Sequence, residues 1–309
     1  MELSLFDLHC DTAYEMLKQG QPLEANTLAV SLEHAKSFQR YIQVMALWTD
    51  YALDDETGWE RCLAMMDHLR RDPAIFRRHA LLVNAPDRAP DRPTLLLGLE
   101  DARILGGKVE RVDTLYEAGV RILTPLWKGC TCIGGSHDTD LGLTPFGKNA
   151  IRQAVSRGMI ADISHASIAS ANEIFEIAES LCRPVIASHS NAWSVCRVSR
   201  NLRDEQIGKI LHSGGVIGLN LHKPFIAEPD TAEAKDLLPH IDHFLSLGAE
   251  DALCLGGDMD GCDLPPDIQN LSELPKLAEL LLQQNISETL IQKIFYENAA
   301  RFAAQFLKA

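Results

Sequence analysis

The 309-residue chain has no apolar stretch near the roughly 18 residues that a membrane-crossing helix requires, which excludes a helical membrane span. Basic residues are the minority. The 29 Lys and Arg stand against 43 Asp and Glu, a formal net charge of −14 that opposes binding to nucleic acid or an anionic membrane. The one basic cluster, RRDPAIFRRH at 70–79, reads as a solvated helix end. There is no Pro/Ser-rich linker, low-complexity tract or shift in composition, so residues 1–309 are read as a single domain, a length that α/β barrels reach. Aromatic residues are few at 6%, yet apolar residues at 46% suffice for a core and exclude general disorder. The first apolar run begins within a few residues of Met1, leaving no room for a signal peptide, so the expected location is the cytoplasm. In that compartment the eight cysteines are expected as free thiols. Cys130-Thr131-Cys132 falls one residue short of a Cys-x-x-Cys pair and has no second pair, which argues against a structural zinc site there.

What the chain does have is a regular alternation of apolar runs and helical segments. Candidate strands fall at 3–9, 41–48, 94–100, 121–127, 159–165, 184–189, 215–221 and 252–257. Between them lie segments of helical period, such as 55–71, where Trp59, Cys62, Leu63, Met66 and Leu69 share a face. The segment 144–158 is punctuated by Thr144 as N-cap, Pro145 in the first helical position and Gly158 past the end. Eight strand-helix repeats favour a parallel sheet closed into a (β/α)8 barrel of the TIM type. The long connection from Lys128 to Leu143, containing GGSH, is read as part of the rim or lid of an active site.

Chemically potent residues recur where these runs end. LSLFDLHCD closes on His9 and Asp11, which share a strand face at i and i+2 and can grip one cation. Glu100 ends TLLLGLE, His165 ends MIADISH, His189 follows PVIAS, and Asp258 follows ALCLGG. One histidine at a strand end is most simply a hydrogen-bonded rim residue. Several ligands gathered at the C-terminal ends of barrel strands would be costly to bury without cations, so the pattern reads as a metal-dependent hydrolase. His34, His68, His79, His212, His240 and His243 lie in helical or loop segments and are read as surface residues. His222, just past the seventh strand, is open between a rim role in substrate binding and a surface position.

The segments FDLHCDT, GLE, GLTPFG, DISHAS, SHSNAWSVCRVSRNLRD, GGDMDG and ENAARF together resemble the renal (membrane) dipeptidase family of binuclear zinc peptidases, over most of the chain. The resemblance implies two zinc ions, one on His9 and Asp11, the other on His165 and His189, with Glu100 bridging. It implies a dipeptide substrate, with a D-residue allowed on its C-terminal side, attacked by a metal-bridging hydroxide. Asp258 would act as general base and then general acid. Arg200, eleven residues after His189, would hold the substrate's free carboxylate with its guanidinium fork. Asp162, three residues before His165, fits a supporting role behind the ligands, and Asp260 reads as a turn carboxylate or as a further support. The family also suggests a homodimer.

Two departures stand out. LTPLWK places Trp127 where many members carry a histidine that hydrogen-bonds the reacting carbonyl oxygen. Indole donates one hydrogen bond but carries no charge, which shifts that stabilisation towards zinc or alters substrate preference. Asp101 follows Glu100 where glycine is usual, adding negative charge near the bridge. The C-terminus AARFAAQFLKA lacks a lipid-anchor signal, so the resemblance is to a soluble, microbial-type member. Two other readings stay open. One is another amidohydrolase on the same barrel, acting on N-acyl amino acids or lactones, with Lys128 carboxylated as the bridge. The other is a catalytically silent binding protein on an inherited barrel, against which the presence of every expected ligand argues.

Overall fold

The computed structural model describes residues 2–87, 90–228 and 231–307. Nine parallel strands form one sheet: β1 (Leu5–Cys10), β2 (Tyr41–Leu47), β3 (Leu81–Leu82), β4 (Thr94–Glu100), β5 (Val120–Thr124), β6 (Ile160–Asp162), β7 (Val185–Ile186), β8 (Ile217–Leu219) and β9 (Leu253–Leu255). They pair in the order β7-β6-β5-β4-β2-β1-β9-β8, and β3 pairs with β4 off this path. A parallel bridge between Ala187 and Ile217 joins the two ends. The eight strands other than β3 thus make a nearly closed (β/α)8 barrel of the TIM type with the helices outside.

Period-2 alternation divides the core. Phe6, Leu8, Ile42, Val44, Leu96, Ile122, Ile160 and Ile186 pack together inside the barrel. Leu5, Met45, Leu95, Leu97 and Leu99 face the surrounding helices. Tyr296, Ala299, Ala300, Phe302 and Ala303, around the helix Asn298–Phe306, join the inner cluster, and Asn298 donates to the carbonyls of Glu250 and Leu253 where β9 begins. This segment plugs the N-terminal end of the barrel, so the C-terminal ends are left for a site.

The helix Asp55–Arg71 begins as expected, with Asp54 accepting from the backbone N–H groups of Glu56 and Thr57. Thr144 Oγ1 caps Pro145–Arg157 by accepting from Gly147, and Gly158 ends it in the left-handed region. The apolar runs at 121–127, 159–165, 184–189 and 215–221 extend beyond the observed ladders of β5 to β8. Burial continues into the following loops while pairing stops: Pro125 has no N–H to donate after β5, and His165 turns into the left-handed region at φ 68° after β6. β3 escapes the sequence reading because two residues show no alternation. His240 corrects another expectation. It is fully buried, accepting from the Ala192 N–H at Nδ1 (3.1 Å) and donating from Nε2 to the Ile226 carbonyl (2.8 Å).

Candidate metal centre

β1 carries His9, but the strand ends at Cys10 and Asp11 opens the helix Thr12–Gln19. Simple strand alternation therefore does not pair these two side chains. They converge nonetheless, with His9 Nε2 3.8 Å from Asp11 Oδ2. Glu100, the last residue of β4, stands at the centre. Its Oε2 is 3.3 Å from His9 Nε2, and its Oε1 is 2.9 Å from His165 Nε2 and 3.5 Å from His189 Nε2. Three sets of ligand atoms each lie within 4.8 Å of one another: His9, Asp11 and Glu100; Glu100, His165 and His189; and His9, His189 and Asp258. Glu100 belongs to the first two, the position a bridging carboxylate requires.

These residues fit metal ions. His9 Nε2, Asp11 Oδ1 and Glu100 Oε1 are buried without a hydrogen-bond partner, an arrangement that cations would satisfy. The far nitrogens of two imidazoles are already tied. His165 Nδ1 donates to the Trp127 carbonyl (3.0 Å), and His189 Nδ1 donates to Ser188 Oγ (2.7 Å), so each Nε2 carries a lone pair, the two nitrogens facing each other at 3.1 Å. Burial, with the Arg200 charge behind it, holds both imidazoles well below their ordinary pKa and so neutral, the ligating form. Burial also pulls on His9, but Glu100 and Asp11 outweigh it and hold that imidazole well above its ordinary range. Burial raises both Glu100 and Asp258, carboxylates crowded together with Asp11.

Asp162 sits behind this layer. Its Oδ1 accepts from the N–H groups of Ser164 (2.9 Å) and Ser188 (3.0 Å), and its Oδ2 from the hydroxyls of Thr124 (2.6 Å) and Ser188 (2.5 Å). The chain Asp162, Ser188, His189 orients one ligand. Asp260 braces a turn instead, accepting from Thr12 Oγ1 (2.6 Å) and from the N–H groups of Ala29 (2.6 Å) and Val30 (3.3 Å). Gly261 packs against the site, since a Cβ there would lie 1.9 Å from Asp11 Oδ2. Asp101 does not add charge to the cluster. It pairs with Arg103 (2.9 Å), which also donates to the carbonyls of Leu53 and Asp50.

A cleft of about 690 Å³ lies over the ligands, walled on one side by Tyr14, Trp48 and Trp127, with ring centroids 4.9 and 5.2 Å apart along the row. Lys128 reaches this cleft but is exposed, whereas Glu100 is buried and belongs to two of the ligand sets. His222 stands on the rim, its Nδ1 accepting from the Asp263 N–H (3.2 Å). Arg200 is buried beside the ligands. Its Nη1 donates to Ser190 Oγ (2.8 Å) and its Nη2 to the His189 carbonyl (3.1 Å), while Nε has no partner. Three residues escaped the sequence reading. Asn220 holds Asp258 Oδ2 (3.0 Å), Asp7 accepts from His9 N–H (2.9 Å) and Gly257 N–H (2.9 Å), and His137, from the loop after β5, lines the cleft with Nδ1 2.9 Å from Ser199 Oγ. Only GGSH, in an overlong loop, hinted at the last. That loop is a folded rim, bridged at Gly134 to Leu143 and at Ser136 to Ala166.

The barrel and the ligand cluster at its C-terminal end define a metallohydrolase. The profile of the membrane dipeptidase family (peptidase family M19) matches residues 1–308, and the chain belongs to that family of metallo-dipeptidases. It is 30% identical over 215 residues to the "uncharacterized protein in pqqA 5'region" of Klebsiella pneumoniae, covering 66% of this chain and 78% of that one. Its fold is similar to that of a metallo peptidase from Rhodobacter sphaeroides liganded with a phosphinate mimic of the dipeptide L-Ala-D-Ala (TM-score 0.91, 22% identity, 99% of this chain and 100% of that one). It is also similar to dipeptidase AC, a metallo peptidase of family M19 (TM-score 0.92, 23% identity, 100% of both chains). Despite the family's name, no helix among the described residues is long and apolar enough to cross a membrane.

Proposed function

We propose that residues 1–309 form one domain that hydrolyses the peptide bond of small dipeptides with two zinc ions bound. His9 and Asp11 would hold one ion, His165 and His189 the other, and Glu100 both. The observation that carries this reading is the sharing of Glu100 by two ligand sets beside a buried Arg200. Bound zinc would supply Lewis acidity and a water of lowered pKa. The chain's own residues do the rest. Arg200 holds the substrate's terminal carboxylate, which selects dipeptides because the clamp stands at a fixed distance from the ligands. Asp258, steadied by Asn220, takes a proton from the attacking water and returns it to the departing amine. Trp127 walls the cleft against the substrate, Asp162 braces His189 from behind through Ser188, and Asp260 ties the turn at Ala29 and Val30 to Thr12, the residue after Asp11. The clamp reads a carboxylate rather than a configuration, so a C-terminal D-residue is accepted, as the phosphinate mimic bound by the Rhodobacter protein suggests.

The same reading places the enzyme in the cytoplasm, supported by eight unpaired cysteines, and as a homodimer without nucleic-acid or membrane partners, in keeping with the acidic charge. The test is amine release from a panel of dipeptides, a tripeptide, an N-acyl amino acid and a lactone, with and without chelator. Chelator-sensitive cleavage confined to dipeptides is expected. Turnover of the acyl amino acid or lactone with silence on dipeptides would overturn the substrate assignment.

A further inference from the structure

The cleft over the ligands meets a second cavity of about 430 Å³ at His137 and His165, which line both. Two helices present their N-termini to this chamber. Ser167, Ile168 and Ala169 come from the start of the helix Ile168–Ser180, and Arg203 and Gln206 from the start of Asp204–Ser213. First-turn N–H groups lack intrahelical acceptors and carry the positive end of the helix dipole. Arg200 adds a guanidinium that is 3% exposed, with its Nε buried and unpartnered. Arg203 adds another, stacked 3.3 Å over the Trp193 ring, and among the described residues no carboxylate pairs with it. The acids at the second helix start are turned elsewhere: Asp204 to Ser194 and His243, Glu205 to Lys209. Asp140, exposed at the rim, is the one acid among the lining residues. Two guanidiniums and two helix N-termini against one exposed carboxylate make this a chamber for an anion.

Under the reading above, on which this inference rests, Arg200 is taken by the substrate's terminal carboxylate. Arg203, three residues on, leaves a second positive charge in the same chamber. We infer that the chamber receives the side chain of the substrate's C-terminal residue and that Arg203 selects an acidic one, so that dipeptides ending in Asp or Glu are preferred.

The experiment compares kcat/KM of the zinc-loaded full chain on Ala-Asp, Ala-Asn, Ala-Ala and Ala-Lys. Ala-Asp is expected to exceed its neutral isostere Ala-Asn by about tenfold or more, the scale of a charge-assisted hydrogen bond. Arg203→Glu should reverse the order of Ala-Asp and Ala-Lys. Asn172→Asp, which also lines the chamber, keeps the acceptor for Lys209 Nζ (2.8 Å) and leaves the Trp193 stack intact, should lower the Asp-to-Asn ratio. Equal rates on Ala-Asp and Ala-Asn, or a ratio unmoved by both substitutions, would overturn the acidic preference while leaving the dipeptidase reading in place. Silence on all four dipeptides would overturn that reading and this inference with it.

Discussion

At the scale of single residues, Glu100 carries the largest consequence because two of the three ligand sets use it. Glu100→Ala should remove bound zinc, read by elemental analysis, and lower kcat/KM by on the order of 10³-fold through the loss of several kcal/mol of Lewis-acid stabilisation. Lys128→Ala, at an exposed position, should keep both ions; the opposite pattern would move the bridge to Lys128. Asp162→Asn retains the shape of the side chain but weakens the hold on Ser188 and through it on His189. A roughly 10- to 100-fold fall in metal affinity in a chelator competition is expected, and an unchanged affinity would remove Asp162 from the site. Gly261→Ala sets a methyl against Asp11 Oδ2, and Asp11 can only yield by swinging away from the ligand position. Metal content should drop with little change in far-ultraviolet circular dichroism.

At the scale of elements, the segment between His189 and the helix Asp204–Ser213 depends on contacts with chain far away in sequence. His240 holds it at Ala192, and Asn201 holds it through the Phe225 carbonyl (2.8 Å). Burial depresses the His240 imidazole to about 4 from its ordinary 6.5. Below about pH 6.5 the unfolded chain takes up a proton that the folded one refuses until about pH 4. Stability therefore falls with pH across that window, by up to about 3 kcal/mol, and this loss is absent above it. In urea titrations, His240→Gln should be less stable than the wild type at pH 7, and that gap should narrow towards pH 4.5. A gap that stays constant would mean that His240 is not the acid-sensitive group.

At the scale of the molecule, the barrel brings candidate ligands from β1, β4 and the loops after β6 and β7 to one place. Metal binding should then stabilise the whole barrel by mass action, about 2.7 kcal/mol at a free concentration a hundred times Kd. Chelation should lower Tm by roughly 5 °C, reversed by added zinc. A Tm indifferent to chelator would indicate that the native site is not loaded.

Much of this was legible in the order of residues. A barrel followed from eight buried runs separated by helical period, because alternation and capping act locally, as at Thr144 and Gly158. That His and carboxylate residues gather at one end of the barrel followed from their recurrence at run ends, since burial of such groups calls for a counter-charge. Strand lengths did not follow, because apolar residues mark burial and not pairing, and β6 and β7 stop where the backbone turns. Nor did Asn220, His137 or the burial of His240, each set by contacts between segments tens of residues apart. The sequence by itself determined which chemical groups stand at the rim of the barrel. Only the tertiary structure decided which of them face one another, because the loops after the strands carry no periodicity and take their paths from packing.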